Sequence, residues 1–529
     1  MSSVRFVGRV LAFLLISFAL LPAAQAQKGD DEITIIFPAL WNEALDPILS
    51  SGSAVVGLAA IYDDLIGSNA DGSGLSKKTG VIEDWEMSPD GKVWTFKVRK
   101  GVKFHRDFGE LTAEDVKFTI DRLSSKRSVT QMKAYFQKKI GKVEIVDSYT
   151  VRVTASGEPI PDLIITLSAL QSSPERFVVS KKAVESLGED GYARMPVGSG
   201  PYEFVKHVGG QSVELKAVAD HWRIGKPRFA RARFLAVPEE ETAIAMLQQG
   251  DADLVPIMRS NIKRLEQAKI HVILQKSAYS TMIFLDDQFV ETVPVHKAKV
   301  REAMNLAIDR KAIVDTLFEG HGQPIGTYWA QSPVLQAIGY DWKADLYPYD
   351  PKKARALLAE AGYPNGFAVD IYVYPWVNMP EAADTLQAVA GMWSEIGIKP
   401  NLIPTEYGVV RTKMLKGEMP GAVGYFPIPA RPWQGILGSY RNFMHSTGAF
   451  NHVKIAALDK ILDEGAQAID PEVAKKKLME AMHYVRSNSL AVPLVEYDLA
   501  FGVSRKVGHW DPGFIPNSLN FDSLLGRAK

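Results

Sequence analysis

The sequence predicts a mixed α/β protein with several domains, and three observations support this class. The chain has 529 residues, of which 46% are hydrophobic and 23% charged, a composition typical of globular proteins. A chain of this length usually divides into about two or three domains. Segments with the two-residue period of strands also alternate with segments that have the period of helices. We therefore expect several α/β units, each packed around its own core.

The first 26 residues have the pattern of a secretory signal peptide. A basic start is followed by an apolar run over residues 10–21, and small residues close the segment as AQA at 24–26. The apolar run is well short of the roughly 20 residues that a membrane-spanning helix needs. We predict a cleaved signal over residues 1–26 and a mature chain that begins near Gln27.

The cysteine count and the charge balance exclude several classes of site and partner. The chain has no cysteine, which excludes disulfides, thiolate metal sites, cysteine nucleophiles and a lipidated N-terminal cysteine. Loss of the signal removes two arginines and no acid, so 61 − 2 = 59 basic residues face 61 acidic ones. Such a chain lacks the basic surface that nucleic acid or anionic lipid requires. We expect a diffusible periplasmic monomer with no nucleic-acid partner and no cofactor.

The first part of the chain contains predicted strands and helices in alternation. Residues 33–39 form an apolar strand, and a helical pattern follows over 55–65. Residues 93–98 alternate as VWTFKV between turn signals, which indicates a half-buried strand. Thr112 begins a helix in which TAED resembles a capping box. The segment VEIVDSYTVRVTA, at 143–155, indicates the β region that closes this α+β portion.

The second part of the chain predicts a longer α/β region. After a glycine-rich turn into a strand over 195–208, a helix ends at Gly250. Residues 300–320 have the pattern of one helix, and a second helix begins at Pro351 and ends at Gly362. The strand AVDIYVY, a helix over residues 380–397 and the strand IKPNLIP follow in that order. This order predicts a βαβ-type layer.

Five sequence blocks carry a resemblance to a known family. They are RKGVKFHRDFGELTAEDVKFTIDRL, PVGSGPYEFVKHVGGQSVELKAVADHWRIGKPRF, QQGDADLVP, VREAMNLAIDRKAIV and YDPKKARALLAEAGYPNG. In content and order they resemble the extracytoplasmic solute-binding proteins, family 5, that serve dipeptide and oligopeptide ABC importers. The resemblance covers essentially the whole mature chain. After KFH the family usually has aspartate and then glycine, whereas RDFG at 106–109 carries an insertion, for which we expect an enlarged surface turn.

The resemblance implies a two-lobed periplasmic-binding-protein-like fold of the three-domain, class II type. Ligand would be enclosed between lobes that close on a hinge, and the closed form would be presented to a membrane permease. The domains that we expect on this basis are the signal peptide (1–26), a first part of lobe I (27–72), an extra α+β subdomain of lobe I (73–190), a second part of lobe I (191–277), lobe II (278–488) and a C-terminal return to lobe I (489–529).

The segment GYFPIPARPWQ, residues 424–434, suggests which kind of ligand the family's cleft holds here. In peptide-binding members an aspartate soon after the glycine receives the ligand's α-ammonium, because a buried cation needs a charged partner. This segment has no acid, and its one charge is Arg431, whose planar fork suits a carboxylate or phosphate. We therefore expect an acidic or aromatic ligand. The alternative is that the prolines only stiffen a loop and Arg431 points to solvent.

The remaining candidates are large aromatic and polar residues at strand ends and crossings, where the family lines its cleft. Such clefts are mostly apolar with a few placed polar groups, and we expect about half of the set to touch ligand. The family motif places Tyr425 and Phe426 directly. The candidate ligand-binding residues are Trp41, Tyr279, Trp376, Asn378, Tyr407, Tyr425, Phe426, Arg431, Trp433, Glu496 and Tyr497.

Three functions remain open at this point. The favoured one is a solute receptor that delivers an organic ligand to an ABC importer and performs no chemistry. A dipeptide or oligopeptide receptor, with an acid from elsewhere in the chain, is the second. A secreted hydrolase is the third, although the sequence has no GxSxG and no zinc motif. His445 and His452 are separated by a loop-like segment, so no metal site is predicted.

Overall fold

The computed structural model describes residues 31–40, 44–50, 55–69, 72, 74–170, 173–327, 332–374, 376, 379–429, 432–448, 450–513, 520 and 523–524. The signal peptide predicted over residues 1–26 lies outside this part of the chain. The strands are β1 (Glu32–Phe37), β2 (Gly67–Ser68), β3 (Leu75–Ser76), β4 (Ile82–Met87), β5 (Val93–Val98), β6 (Ile140–Asp147), β7 (Thr150–Ala155), β8 (Tyr202–Val208), β9 (Ser212–Ala217), β10 (Arg231–Ala236), β11 (Leu254–Ile257), β12 (His271–Leu285), β13 (Gly322–Pro324), β14 (Ala368–Val373), β15 (Lys399–Pro404), β16 (Val423–Pro429) and β17 (Val492–Val503).

The helices lie between these strands and cover the sheets. They are α1 (Val55–Ile61), α2 (Ala113–Leu123), α3 (Lys133–Lys139), α4 (Leu163–Thr166), α5 (Lys181–Arg194), α6 (Glu240–Gln249), α7 (Ile262–Gln267), α8 (Ala298–Leu306), α9 (Arg310–Leu317), α10 (Ser332–Ala337), α11 (Pro351–Glu360), α12 (Ala382–Glu395), α13 (Tyr407–Lys416), α14 (Trp433–Met444), α15 (Ala456–Gln467) and α16 (Pro471–Ser487). In the part of the chain described above, no helix is both long and apolar enough to cross a membrane.

One large sheet runs through the molecule, and two of its strands join two lobes. Its order is β15–β14–β16–β12–β17–β11–β1–β10–β9–β8, with β13 also paired to β17. β12 and β17 are antiparallel neighbours, and each continues from one half of the sheet into the other. β17 pairs with β11 over residues 500–503 and with β13 over 495–497. The first lobe therefore holds β1 and β8–β11, and the second holds β13–β16.

The parallel strands of both lobes point their carboxyl ends at the crossing between the lobes. β1 is parallel to β10 and β11, and β14 is parallel to β15 and β16. β11 runs toward the crossing, because its last residue, Ile257, pairs with Ala500. β16 approaches from the other side, because its last residue, Pro429, pairs with Tyr279. The two carboxyl edges consequently face each other.

A second, four-stranded antiparallel sheet, β4–β5–β7–β6, forms an α+β unit on the first lobe. Trp94 and Phe96 of β5 lie in a hydrophobic core that continues into β1 and α1, so the unit is packed onto that lobe. The second lobe has separate cores on the two faces of its sheet. The residue limits of the predicted domains stay a prediction.

Most of the predicted local signals are confirmed. The backbone N–H of Thr112 donates to the Asp115 carboxylate at 2.9 Å, and the Glu114 N–H donates to the Thr112 hydroxyl, which completes the capping box. Gly250 ends α6 in the left-handed conformation with φ 85°. β14, α12 and β15 form the predicted βαβ unit, since β14 and β15 are parallel neighbours.

Two helix predictions are wrong in their limits. The pattern over 300–320 is not one helix: α8 ends at Leu306 and α9 begins at Arg310, because the Asp309 carboxylate accepts the Ala312 N–H at 2.9 Å and starts a new helix. The pattern over 55–65 also ends early, at Ile61. Beyond it, the Leu65 N–H donates to the Arg176 carbonyl at 2.6 Å, so a tertiary contact replaces the helical one.

Candidate functional site

The candidate site lies where the two carboxyl edges face each other. In α/β sheets, ligands bind beyond the carboxyl ends of the parallel strands. On the first-lobe side, the site is formed by the residues that follow β1, β10 and β11. On the second-lobe side, it is formed by those that follow β14, β15 and β16. The crossing strands β12 and β17 form its base. We call this space the cleft.

The crossing itself contains an irregularity in which a carboxylate holds the backbone. The pairing of β12 with β17 shifts between Gln275 and Tyr279, and Ser277 has φ 50°, which is costly for a residue with a side chain. The Ser277 N–H donates to Asp498 Oδ1 at 2.9 Å, and the Lys276 ammonium donates to Oδ2 at 2.7 Å. The interrupted ladder and these bonds mark the crossing as the candidate hinge.

Two predicted aromatic residues meet at the crossing. Tyr279 of β12 and Tyr497 of β17 are paired across the ladder, and their rings stack with centroids 5.6 Å apart. Phe318 packs on Tyr497 at 5.2 Å, and the Arg259 guanidinium lies 4.7 Å from the same ring. Tyr279 and Tyr497 are both buried, and burial raises the pKa of Tyr497 well above its ordinary value. The predicted pair thus lies in the two crossing strands, and its contact with a ligand stays a prediction.

Glu496, the neighbour of Tyr497, brings a buried carboxylate to the same place. Its Oε1 accepts hydrogen bonds from the Ser277 hydroxyl at 2.7 Å and from the Gln323 amide at 2.6 Å. Ser277 belongs to the crossing and Gln323 to β13 in the second lobe. The predicted polar residue therefore joins the crossing to the second lobe.

Three aromatic residues lie together and form what we call the aromatic wall. Tyr374 and Trp376 follow β14, and Tyr407 begins α13, the helix after β15. The Trp376 and Tyr407 rings lie 4.9 Å apart, and Tyr374 lies 5.8 Å and 5.6 Å from them. Trp376 and Tyr407 are predicted site residues, whereas Tyr374 was not predicted. Its signal was present, because it is the last residue of the predicted strand AVDIYVY and so stands at the carboxyl edge.

Tyr425 connects the aromatic wall to the base of the cleft. The Tyr374 hydroxyl donates to the Tyr425 carbonyl at 2.8 Å and accepts from the Tyr425 N–H at 3.1 Å. The Tyr425 side chain is buried, and its hydroxyl contacts the Met379 sulfur. Burial raises the pKa of Tyr425 well above its ordinary value, against the lowering effect of a hydrogen bond with Thr281 and the charge of Arg259. This tyrosine is held firmly in the second lobe.

A charged pair between the lobes was also not predicted. Arg259 follows β11 in the first lobe, and its guanidinium forms an ion pair with Glu381, the residue before α12 in the second lobe. Another guanidinium nitrogen donates to the Asp498 carbonyl at 2.9 Å. Arg259 had one usable signal, because it is a charged residue two positions after a mostly buried strand. Its partner could not be inferred, since Glu381 lies 122 residues away.

The other candidates fall into two groups. Trp433 begins α14, is half-buried against the second-lobe core, and has the Lys475 ammonium 5.7 Å from its ring. Phe426 lies within β16, where its backbone pairs with Met282, but its side chain is not described. Trp41, Asn378 and Arg431 lie outside the described residues. Their roles remain predictions.

The predicted absence of a histidine metal pair was drawn from the loop between His445 and His452. In the structure His445 interacts with Asp463 at 3.3 Å, and His452 interacts with Asp286 at 2.8 Å. The two histidines therefore have separate carboxylate partners. Over the described ranges, no three or more histidine or acidic side chains are gathered so that they could hold a metal ion.

Two lobes joined by two crossing strands, with the carboxyl edges of their parallel strands facing each other, have the architecture of a two-lobed solute-binding protein. The model of the family described as "Bacterial extracellular solute-binding proteins, family 5 Middle" matches residues 78–451. The chain belongs to this family. Its members bind small ligands and work with the permease of an ABC importer.

Individual relatives agree with the family assignment along most of the chain. The chain is 29% identical over 482 residues to the Heme-binding protein A of Haemophilus influenzae, covering 84% of this chain and 83% of that protein. It is 29% identical over 492 residues to the Glutathione-binding protein GsiB of Escherichia coli K12, covering 89% and 91%. The solved structure of HbpA2 from Haemophilus parasuis has the same fold, with a TM-score of 0.76, 24% identity and coverage of 94% and 100%.

Proposed function

We propose that this protein is the periplasmic receptor of an ABC importer for an acidic or aromatic organic solute that is not an ordinary peptide. The observation that carries the proposal is the aromatic wall, in which three rings stand within 6 Å of one another at the carboxyl edge. The half-buried rings of Trp376 and Tyr407, which pack against the buried Tyr374, offer contact area to a flat or apolar part of a ligand and little charge to a peptide terminus.

The charges of the segment 424–434 support an acidic ligand. This segment carries no carboxylate to receive an ammonium group, and Arg431 offers a planar fork to a carboxylate or phosphate. Heme and glutathione, after which two relatives are named, both carry carboxylate groups. We therefore propose that Arg431 contacts an acidic group while Trp376 and Tyr407 contact the rest of the ligand.

The proposal also includes the cellular location of the protein and the absence of catalysis. The predicted signal over residues 1–26 and the absence of cysteine favour a diffusible periplasmic protein without a lipid anchor. We propose that it acts as a monomer and releases its ligand unchanged, because neither the sequence motifs nor the relatives' names point to catalysis.

A dipeptide or oligopeptide receptor is the second candidate, and Glu496 favours it. This buried carboxylate lies at the base of the cleft and could receive an ammonium group that the segment 424–434 no longer serves. A Glu496→Gln variant separates the two functions. It should abolish peptide binding, whereas binding of an organic acid should persist.

The test begins with the ligand that the protein retains. The mature chain is purified under native conditions and denatured, and the released small molecules are identified by mass spectrometry, because tight complexes dissociate slowly. A carboxylated, phosphorylated or aromatic non-peptide supports the proposal, and a short peptide contradicts it. Calorimetry with the identified compound then compares Trp376→Ala and Arg431→Gln with Tyr349→Ala, an exposed control. The first two should weaken binding by about tenfold or more, and the control should not.

A further inference from the structure

The ion pair between Arg259 and Glu381 joins the two lobes beside the hinge. Arg259 belongs to the first lobe, two residues after the end of β11, and Glu381 belongs to the second, directly before α12. The arginine side chain is 3% exposed and the glutamate side chain 14% exposed. Both charges are therefore largely withdrawn from water in this arrangement of the lobes.

The arginine is oriented by groups of the crossing and of the second lobe. It donates to the carbonyl of Asp498 in the crossing at 2.9 Å. Its guanidinium also lies 4.7 Å from the ring of Tyr497 and 5.1 Å from the ring of Phe318, the residue after α9 in the second lobe. A first-lobe side chain thus packs between the crossing and the second-lobe residues Phe318 and Glu381, an arrangement in which the lobes are together.

The far end of the cleft shows the same closed arrangement. A Cβ atom added to Gly91, in the turn before β5 of the first lobe, would lie 3.2 Å from the side chain of Ile469, between α15 and α16 of the second lobe. The lobes therefore approach each other at the mouth as well as at the hinge. A probe at the mouth reports closure without touching the ion pair.

We infer that Arg259 and Glu381 form a closure latch that sets the ratio of closed to open protein before any ligand binds. A buried ion pair gains little net free energy, because desolvation offsets attraction. Losing one partner is different, since the remaining charge stays buried without its counter-ion and the closed form becomes unfavourable. The latch thus makes closure depend on both residues. It rests on the two-lobed fold and holds whatever the ligand is.

The absence of native cysteine permits a direct test. Lys92→Cys, next to Gly91, and Lys476→Cys, in α16, are both exposed and place spin labels on opposite sides of the mouth. Pulsed dipolar spectroscopy then measures the distance distribution in dialysed, ligand-free protein. The matched control is Glu302→Gln, which removes one carboxylate from the exposed Lys353–Glu302 pair within the second lobe.

In this assay Glu381→Gln should lower the ratio of short to long distances by about tenfold or more, and Glu302→Gln should leave it unchanged. The double variant Arg259→Gln/Glu381→Gln should be more closed than Glu381→Gln alone, because it leaves no unpaired buried charge. If each residue acted only through its own packing, the double variant would instead lose closed protein by the sum of the two single losses. Circular dichroism checks that each variant is folded. If Glu381→Gln is unfolded, Glu381→Asp replaces it. The ratio of short to long distances should again fall, because the shorter aspartate side chain does not reach the arginine. Superimposable distributions in parent and glutamate variant, or additive losses in the double variant, overturn the inference.

Discussion

The ring of Tyr279 lies almost parallel to the ring of Tyr497, with an angle of 12° between planes and 5.6 Å between centroids. The two residues come from β12 and β17, the strands that cross between the lobes. Their stack therefore joins both crossings at the point where the ladder is interrupted. The stack therefore lies at the candidate hinge between the lobes.

Replacing Tyr497 by alanine should destabilise the protein strongly. Its ring is fully buried between Tyr279, Phe318 and the Arg259 guanidinium, so truncation leaves a cavity beside a buried charge. We expect the free energy of unfolding to fall by about 3–5 kcal/mol in urea titrations. Tyr349→Ala, at a position that is 47% exposed, should change it by less than about 0.5 kcal/mol. Equal losses at the two positions would contradict the packing described.

Two glycines of the second lobe should respond to alanine with opposite signs. A Cβ at Gly424 of β16 would overlap the ring of Phe284 on the neighbouring strand, so Gly424→Ala should cost about 1–3 kcal/mol. Gly438 lies exposed within α14, and a Cβ added there would meet no neighbouring atom, so Gly438→Ala should raise the free energy of unfolding by about 0.5–1 kcal/mol. Thermal or urea unfolding of the two variants measures both changes. A stable Gly424→Ala protein would mean that the two strands can separate at this point.

These residues also show what the sequence could predict. The capping box at Thr112 and the helix limits at Pro351 and Gly362 are local signals, and local signals were predicted well. The need for glycine at 424 depends on Phe284, a residue of another strand that is distant in sequence. No spacing rule connects such a pair before the register of the strands is known.

The candidate site was predictable in part for the same reason. Tyr279 and Tyr497 were selected separately, because each lies in a crossing implied by the family resemblance. Their stacking, and the pairing of Arg259 with Glu381, require the topology of the large sheet and could not be inferred from composition or periodicity. Charged pairs between distant segments become visible only when the fold brings strand ends to one edge.

Ile428 occupies the region where peptide-binding members carry aspartate. Its substitution tests whether the side chain lies in the core of the second lobe or faces the ligand. The side chain is 2% exposed and belongs to a second-lobe core that includes Met282 and Ile436. Ile428→Asp should therefore bury an uncompensated charge and lower the free energy of unfolding by about 3 kcal/mol or more. Ile428→Val, which loses one methyl group, should cost about 1 kcal/mol. A folded Ile428→Asp protein that gains affinity for peptides would instead show that this position faces the ligand.

The pH dependence of stability should contain a contribution from His105. Its ring is 5% exposed, and Nε2 donates to the Gly200 carbonyl at 2.8 Å, while Nδ1 is buried without an acceptor among the described residues. Burial therefore lowers the pKa of His105 below 6.5, despite the hydrogen bond to Gly200, because protonation would place an unsatisfied N–H and a charge in the core.

The sign of the effect follows from proton uptake. Above a pH of about 6.5 the histidine is neutral in both folded and unfolded protein, so it adds no pH dependence. As the pH falls through 6.5, the unfolded chain takes up a proton that folded His105 refuses, and stability declines until the pH is below the folded pKa. Urea titrations between pH 7.5 and about 5 should show a shallower decline for His105→Gln than for the parent. Some slope should remain, since burial also lowers the pKa of His321. His483→Gln, at an exposed position, should keep the parent slope, and an unchanged slope in His105→Gln would place the proton uptake elsewhere.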